Sequence, residues 1–505
     1  MSLSRVYSRA LLGIDAPLVT VETHISAGLP ALALVGLPET AVRESKERVR
    51  SAIINSNLEF PTRRLTVNLA PADLPKVGGR YDLAIALSIL QASGQLPADC
   101  LEGYELLGEL GLNGELRGVR GALPAALSTA NSGRTLVVPS ANATEVGGVK
   151  QCASVWAGTL LDVVAMLAGK HKLPVCQAAT TGVDEVSDPP AKYYPAIKGQ
   201  LRAKRALLLA AAGRHNLLLQ GPPGTGKTLL ANALAEILPA PTEEEALQLA
   251  AIQSVCRLPV IRPLPGLASV RSPHHTTTPV AMAGGGSHAA PGEVSLAHQG
   301  LLFLDELPEF SSRTLQVLRE PLESGSITIS RSSYRVSYPA RFQLVAAMNP
   351  CPCGFYGDPS GRCHCSKEKV LAYLQKISGP LLDRIDLVVE VPRLGLDELV
   401  TGIEAGPTLA EVKGQVKVCR ELQLQRQSKL NAMLGPLEID KYCCLDQAGR
   451  ELIRSATERY YLSARGLHRV LKLARTIADL EAATDLEEVH ILEALAYRSG
   501  CASTY

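Results

Sequence analysis

From residue 1 to about 168, short apolar runs of β character alternate with stretches of helical period. The runs "PLVTVETHI", "ALALVGL", "RLTVNLA" and "TLVVP" fit strands, whereas "ETAVRESKERVRSAIINS" and "YDLAIALSILQAS" set apolar residues at helical spacing. This alternation predicts an α/β domain. It ends in "HKLPVCQAATTGVDEVSDPPAKYYP", which is small, polar and proline-rich without a period, and so predicts a linker over 171–192.

A second α/β block spans 193–400, with buried-strand runs "HNLLLQ", "GLLFLDE", "FQLVAAMN" and "DLVVEV". From 401 the pattern is helical to the end, as in "AGRELIRSATERYYLS" and "ARGLHRVLKLARTIADLEA", which predicts a small helical bundle. No repeat of fixed period appears. The fold class is therefore α/β, divided into a domain over 1–170, a linker, a core over 193–400 and a helical unit over 401–505.

Composition narrows the setting. At 505 residues the chain exceeds a single hydrophobic core, and an apolar fraction of 46% is enough to fill several. With 20% charged residues and a net charge of +2, global charge points to neither nucleic acid nor membrane, so any basic surface is local. The opening "MSLSRVYSRALLGIDAPLV" lacks the apolar core of a signal peptide, and no run is long enough to span a bilayer. The expectation is a cytoplasmic protein with no membrane partner.

The strongest chemistry lies in "HNLLLQGPPGTGKTLLANALAE". Gly221, Pro222, Pro223, Gly224, Thr225, Gly226, Lys227 and Thr228 stand between a buried strand and an amphipathic helix, the context of a phosphate-binding loop for ATP. Backbone amides converge on phosphate at the helix start, Lys227 supplies a point charge, and Thr228 offers a hydroxyl to Mg²⁺. Farther on, "GLLFLDE" ends a strand in Asp305 and Glu306: the first suits Mg²⁺, the second orients an attacking water. Asn349 ends a third strand and can position the same water. Arg384, in "GPLLDRIDLVVEV", reads either as an arginine finger for a neighbouring subunit or as an Asp-Arg surface pair.

Just after Asn349, "CPCGFYGDPSGRCHC" gathers four of the twelve cysteines: Cys351, Cys353, Cys363 and Cys365. A reducing cytosol disfavours disulfides, and four thiols in two pairs joined by a turn can supply a tetrahedral Zn²⁺ site. Free reduced thiols are the other reading, and His364 is a candidate replacement ligand. Zinc here would brace the Asn349 strand against a neighbouring subunit.

Together "GPPGTGKT", "LLFLDE", "AAMN", "LLDRID" and "SARGLHRVLKLARTIADL" resemble the AAA+ ATPases of the magnesium-chelatase-like branch. The strings "RSPHHTTTPVAMAGGG", "PGEVSLAHQGLLFLDELPEF", "LQVLREPLESGSITISR" and "NPCPCG" are more specific and resemble the ComM/YifB family across essentially the whole chain. The resemblance implies an AAA+ P-loop NTPase core with a helix-2 insertion and a Cys-rich insertion at 351–365, closed by a C-terminal helical lid. It implies a hexameric ring with ATP at the subunit interfaces, Arg465 as sensor 2 with Arg469 as the second candidate, and recombination proteins as further partners. The first domain resembles the Lon-protease-like (ribosomal S5 domain 2-like) fold. Arg80 and Ala125 occupy the positions of that fold's serine and lysine, so no activated nucleophile remains; the domain then serves assembly or DNA binding, or is a plain packing module.

Two segments are DNA candidates. Arg271, His274 and His275 precede the Gly284–Gly286 run in a loop that could approach a phosphate backbone. The segment "ITISRSSYRVSYPARF" predicts a hairpin with Arg331 and Arg335 at its tip, which reads as a pore hairpin or as a solvated edge hairpin. The family resemblance implies an ATP-driven helicase acting on single-stranded and branched DNA in the branch migration of natural transformation. A chelatase-type motor and a MoxR-like chaperone are the alternatives. Against the former stand the first domain, not expected in a chelatase ATPase subunit, and the lack of an Asp-x-Ser-x-Ser run.

Overall fold

The protein is described here from a computed structural model covering residues 2–36, 40–76, 78–178, 191–256, 268–286, 289–330, 335–358, 361–395, 406–460 and 462–498. Most of the linker predicted over 171–192 and the hairpin candidate Arg331 lie outside the described residues.

The first domain is built on a seven-stranded mixed sheet in the order Ala31–Val35, Arg64–Ala70, Leu18–Ser26, Ser2–Arg9, Tyr104–Leu106, Thr135–Pro139, Ser154–Ala157. Leu18–Ser26 alternates buried and half-buried positions along its length, as a strand with one face on a core does. That core lies against the helix Asp82–Ala92, almost all of which is buried. Sequence patterning missed Ser2–Arg9, whose serines and arginines mask a strand paired antiparallel along all of Leu18–Ile25.

The second block is a five-stranded sheet in the order Val270–Arg271, Leu301–Leu304, Gln343–Met348, Leu217–Gln220, Leu387–Glu390, with every pairing parallel. Its inner strands are apolar except for Gln220 and Gln343 at strand ends, because both faces are covered. Leu217, Leu219, Phe303, Val345 and Val389 point to one face and Leu218, Leu302, Leu304, Ala346 and Val388 to the other.

The first of these faces packs on the helices Leu201–Gly213 and Lys227–Ile237. The C-terminal helices, including Leu409–Gln427 and Ala464–Leu480, bury Val412, Val416, Val470 and Ile477 in the same cluster. These helices, expected as a small helical bundle, share one core with the second block. The first domain docks through the helix Glu243–Val255: Ala250 and Ala251 join the cluster of Leu123 and Val138, and the Gly121 amide donates to the Ser254 carbonyl at 3.1 Å.

The predicted hairpin exists as Ser326–Ser330 against Arg335–Pro339. Its buried face, Ile327, Ile329, Val336 and Tyr338, lies on the core of the second block. Gly13 of the first domain abuts it, since a Cβ there would stand 2.6 Å from Val336 Cγ1.

Candidate active site

The strand Leu217–Gln220 runs straight into the loop Gly221–Gly226, and the helix Lys227–Ile237 starts where the loop ends. Gly224 and Gly226 have φ of 77° and 87°, left-handed values that glycine adopts without strain. Thr225 Oγ1 donates to the Pro222 carbonyl at 3.0 Å and tightens the turn. The helix start therefore opens on a cradle of backbone amides, as a phosphate requires.

Lys227 Nζ donates to the carbonyls of Gly221 and Pro222, each at 2.8 Å, and to Asn349 Oδ1 at 3.1 Å. Burial lowers its pKa, with the Asp305 charge opposing. An ammonium resting on neutral oxygens can exchange one of them for a phosphate oxygen. Thr228 Oγ1 donates to Asp305 Oδ2 at 3.1 Å, so the hydroxyl and carboxylate that suit magnesium already stand together. Asp305 and Asn349 follow neighbouring strands at the carboxyl edge of the parallel sheet, where such folds bind ligands. These residues fit ATP with Mg²⁺.

Glu306 adopts φ 52°, and its amide donates to Asp305 Oδ1 at 2.9 Å. Its carboxylate lies 3.2 Å from His275 Nδ1. The His274 and His275 rings stand 4.1 Å apart, and His274 Nδ1 is 2.9 Å from Thr276 Oγ1. His275, expected on a DNA-facing loop, is thus a neighbour of the nucleotide site.

Arg271 also departs from expectation. It belongs to the edge strand Val270–Arg271 rather than a loop, and Glu293 takes its guanidinium through two bonds of 2.8 Å. Its charge is compensated within the chain. Arg335 is exposed on the hairpin.

Arg384 is 7% exposed and donates to the Pro380 carbonyl and to Glu323 Oε2, both at 2.6 Å. Arg465 approaches the other oxygen of Glu323 at 3.7 Å. One carboxylate, unremarked in the sequence, therefore gathers two arginines that lie far apart along the chain. Those two arginines hold the Glu323 carboxylate below its usual range, Arg384 foremost. Arg469 points elsewhere, to the buried Asp386. In the first domain, Arg80 and Ala125 are both buried.

Cys351, Cys353, Cys363 and Cys365 converge with their sulfurs all within 4.8 Å of one another. The separations of 3.3, 3.9 and 3.6 Å among the first three are far beyond a disulfide bond of about 2.05 Å. They approach the edge of roughly 3.8 Å that follows from a tetrahedron with Zn–S of about 2.3 Å. The Phe355 amide facing Cys353 pulls its thiol down to about 6. The donor chemistry fits Zn²⁺, and His364 is exposed beside it.

Comparison with known families agrees along the chain. The family described as "Magnesium chelatase, subunit ChlI" matches residues 194–399, and its C-terminal family matches 406–498. "Subunit ChlI of Mg-chelatase" matches 21–142, so the first domain does not by itself set this chain apart from chelatases, contrary to the sequence argument. Protein YifB of Salmonella typhimurium is 50% identical over 503 residues, covering 99% of this chain and 97% of its own length. Competence protein ComM of Haemophilus influenzae is 47% identical over 500 residues, covering 99% and 98%. The magnesium-chelatase 38 kDa subunit of Rhodobacter capsulatus is 30% identical over 181 residues, 31% of this chain and 50% of that protein.

Proposed function

Because the chain belongs to the ComM/YifB family of magnesium-chelatase-like AAA+ proteins, we propose that it is a ring-forming, ATP-driven DNA motor. It acts as a hexameric helicase that promotes branch migration during recombination in natural transformation, in the cytoplasm, with recombination proteins as partners. The single observation that carries the reading is an assembled phosphate-binding site, with Lys227 on Asn349 and Thr228 on Asp305, in a chain that follows a competence protein end to end. The Rhodobacter capsulatus subunit aligns with 31% of this chain whereas YifB and ComM align with 99% of it, which favours the motor over chelation although chelatase-subunit families match along the chain. A MoxR-like remodelling ATPase is the outcome if DNA has no effect. Among the described residues, no helix is long and apolar enough to cross a membrane.

When bound, Mg·ATP supplies the phosphoryl group whose hydrolysis drives movement. Lys227 and the loop amides hold its phosphates, Thr228 and Asp305 hold the magnesium, and Glu306 takes a proton from a water that Asn349 helps to orient. Arg384 acts on the neighbouring subunit's nucleotide, with Glu323 as its keeper in the free chain, and Arg465 senses the nucleotide from the lid. The first domain, read as a Lon-protease-like fold without a dyad, serves assembly or DNA binding. His274 and the Arg331–Arg335 hairpin contact the DNA backbone, and the four cysteines hold a structural zinc.

ATP turnover measured with and without single-stranded and branched DNA, across a salt series, tests the motor. Stimulation and salt-sensitive binding are expected. Turnover indifferent to DNA, with no salt-sensitive binding, would overturn it.

A further inference from the structure

We propose that the zinc-held cysteine knuckle is a strut for the phosphate-binding loop of its own chain, so that metal loading sets the protein's affinity for ATP. The inference rests on the zinc reading above but not on any action on DNA.

The knuckle starts two residues beyond Asn349 and turns at once: the Gly354 amide donates to the Cys351 carbonyl at 2.9 Å. Gly354 has φ +85°, and a Cβ built on it would stand 2.6 Å from Pro223 Cδ and 3.8 Å from Asn349 Cγ. The backbone of the turn therefore lies directly on the phosphate-binding loop, with no room for a side chain between them. It touches the one side chain, Asn349, that receives Lys227. Metal ligands, turn, Pro223, Asn349 and Lys227 form one unbroken set of contacts.

Beyond the cysteines, which pack against the core cluster, the turn is held at its surface, where Arg393 lies over the Phe355 ring at 5.9 Å. Of the described residues from Cys351 to Ser366, only Cys351 and Gly354 are buried. A segment with so few buried residues draws much of its order from a cross-link between Cys351/Cys353 and Cys363/Cys365, and a metal that closes it removes freedom from the intervening residues. Without the cross-link, the turn leaves Pro223 unsupported, and binding ATP must then order the loop as well as fill it.

The test uses the purified full chain. Zinc is measured by mass spectrometry, and a fluorescent ATP analogue is titrated in excess Mg²⁺ before and after removal of zinc with a zinc-selective chelator, then after zinc is restored. The expected result is one zinc per chain, a loss of affinity of about tenfold or more on stripping, and recovery on reloading. Gly354→Ala, which leaves every thiol in place, should keep its zinc yet weaken analogue binding. Full zinc content with affinity unchanged on stripping would overturn the strut while sparing the zinc site. Zinc well below one per chain in protein never exposed to chelator would remove both. Unchanged affinity in Gly354→Ala would overturn the contact as the route of coupling.

Discussion

Arg469→Ala removes the guanidinium that pairs with Asp386, a carboxylate whose side chain is 2% exposed. The groups that remain include the Asn216 amide at 2.8 Å, His215, whose Nδ1 at 3.7 Å lies beyond hydrogen-bond reach, and the charge of Lys472 on the same helix as Arg469. Breaking a buried pair by deleting one member costs about 3–5 kcal/mol. Arg469 is itself 22% exposed, so water reaches the vacated space, and the expected loss is near the low end, about 3 kcal/mol. At about 2.1 cal/mol/K of unfolding entropy per residue, a unit of roughly 300 residues shared by the lid and the ATPase block shifts by about 1.6 °C per kcal/mol, so its melting transition should fall by roughly 5 °C. Arg465→Ala is the control. Its side chain is 67% exposed and touches Glu323 only at 3.7 Å, so its midpoint should not move while its ATP turnover falls.

Acid gives the prediction a second arm. Burial works to raise the pKa of Asp386, and Arg469, His215 and the Asn216 amide outweigh it, holding the carboxylate far below its usual range. A carboxylate depressed in the fold contributes stability above its unfolded value of about 4 and loses it as pH falls through the folded value. Arg469→Ala lifts the depression, so the gap between wild type and variant should hold from neutral pH down to about 4 and narrow only as pH falls further, through the range in which wild type gives up that stability. Scanning calorimetry at neutral pH and in steps below about pH 4, beside an ATPase assay, measures all of this. Equal midpoints for Arg469→Ala and wild type at neutral pH, or an unfolded Arg465→Ala, would refute the division of labour between the two arginines.

Lys227→Ala should abolish ATP turnover and strand displacement while retaining part of the DNA binding seen in filter assays; displacement by that variant would end the ATP-driven account. Glu306→Gln keeps the shape of the side chain but not the base, so analogue affinity should hold while hydrolysis falls about 10²-fold or more. Intact hydrolysis would transfer the role of base to another residue. Glu323→Gln removes the charge that gathers Arg384 and Arg465, and turnover in assembled rings should rise because Arg384 is freed towards the neighbouring site. A fall in steady-state rate would mean that the pairing positions Arg384 rather than restrains it.

What the sequence makes legible is what adjacent residues decide together. The phosphate-binding loop is a strand, a run of glycines and a helix in unbroken succession, and the acidic and amide groups at Asp305, Glu306 and Asn349 are each the last word of an apolar run. Their mutual approach follows from a parallel sheet, which brings all such ends to one edge. Pairings across the fold leave no such trace. Glu323 and Arg384 stand 61 residues apart, and Asp386 and Arg469 stand 83 apart. Nothing local distinguishes Arg465, which is free of buried partners, from Arg469 one helical turn later on the same helix. The buried carboxylate chooses between them, and it belongs to another element. The shared core of lid and ATPase block is hidden for the same reason: an amphipathic helix shows that it has an apolar face but not what covers it.

His275 marks the boundary between these two cases. The edge strand Val270–Arg271 has only two residues, too short to register as a period of alternation, so the segment after it reads as loop. Yet its pairing with Leu301–Leu304 is parallel, Val270 opposite Leu301 and Arg271 opposite Leu302. Carried four residues onward, the same register sets His275 abreast of Glu306, where the 3.2 Å contact is found. The position was implicit in the offset between two strands, one of which the pattern could not reveal. The segment that begins beside Glu306 runs through the short helix Pro279–Ala283 to Gly284–Gly285, so a single stretch of backbone joins the proposed catalytic carboxylate to the surface proposed for DNA. In the proposed motor, a displacement of that segment by DNA would have a short physical route to Glu306, which is what coupling translocation to hydrolysis would demand.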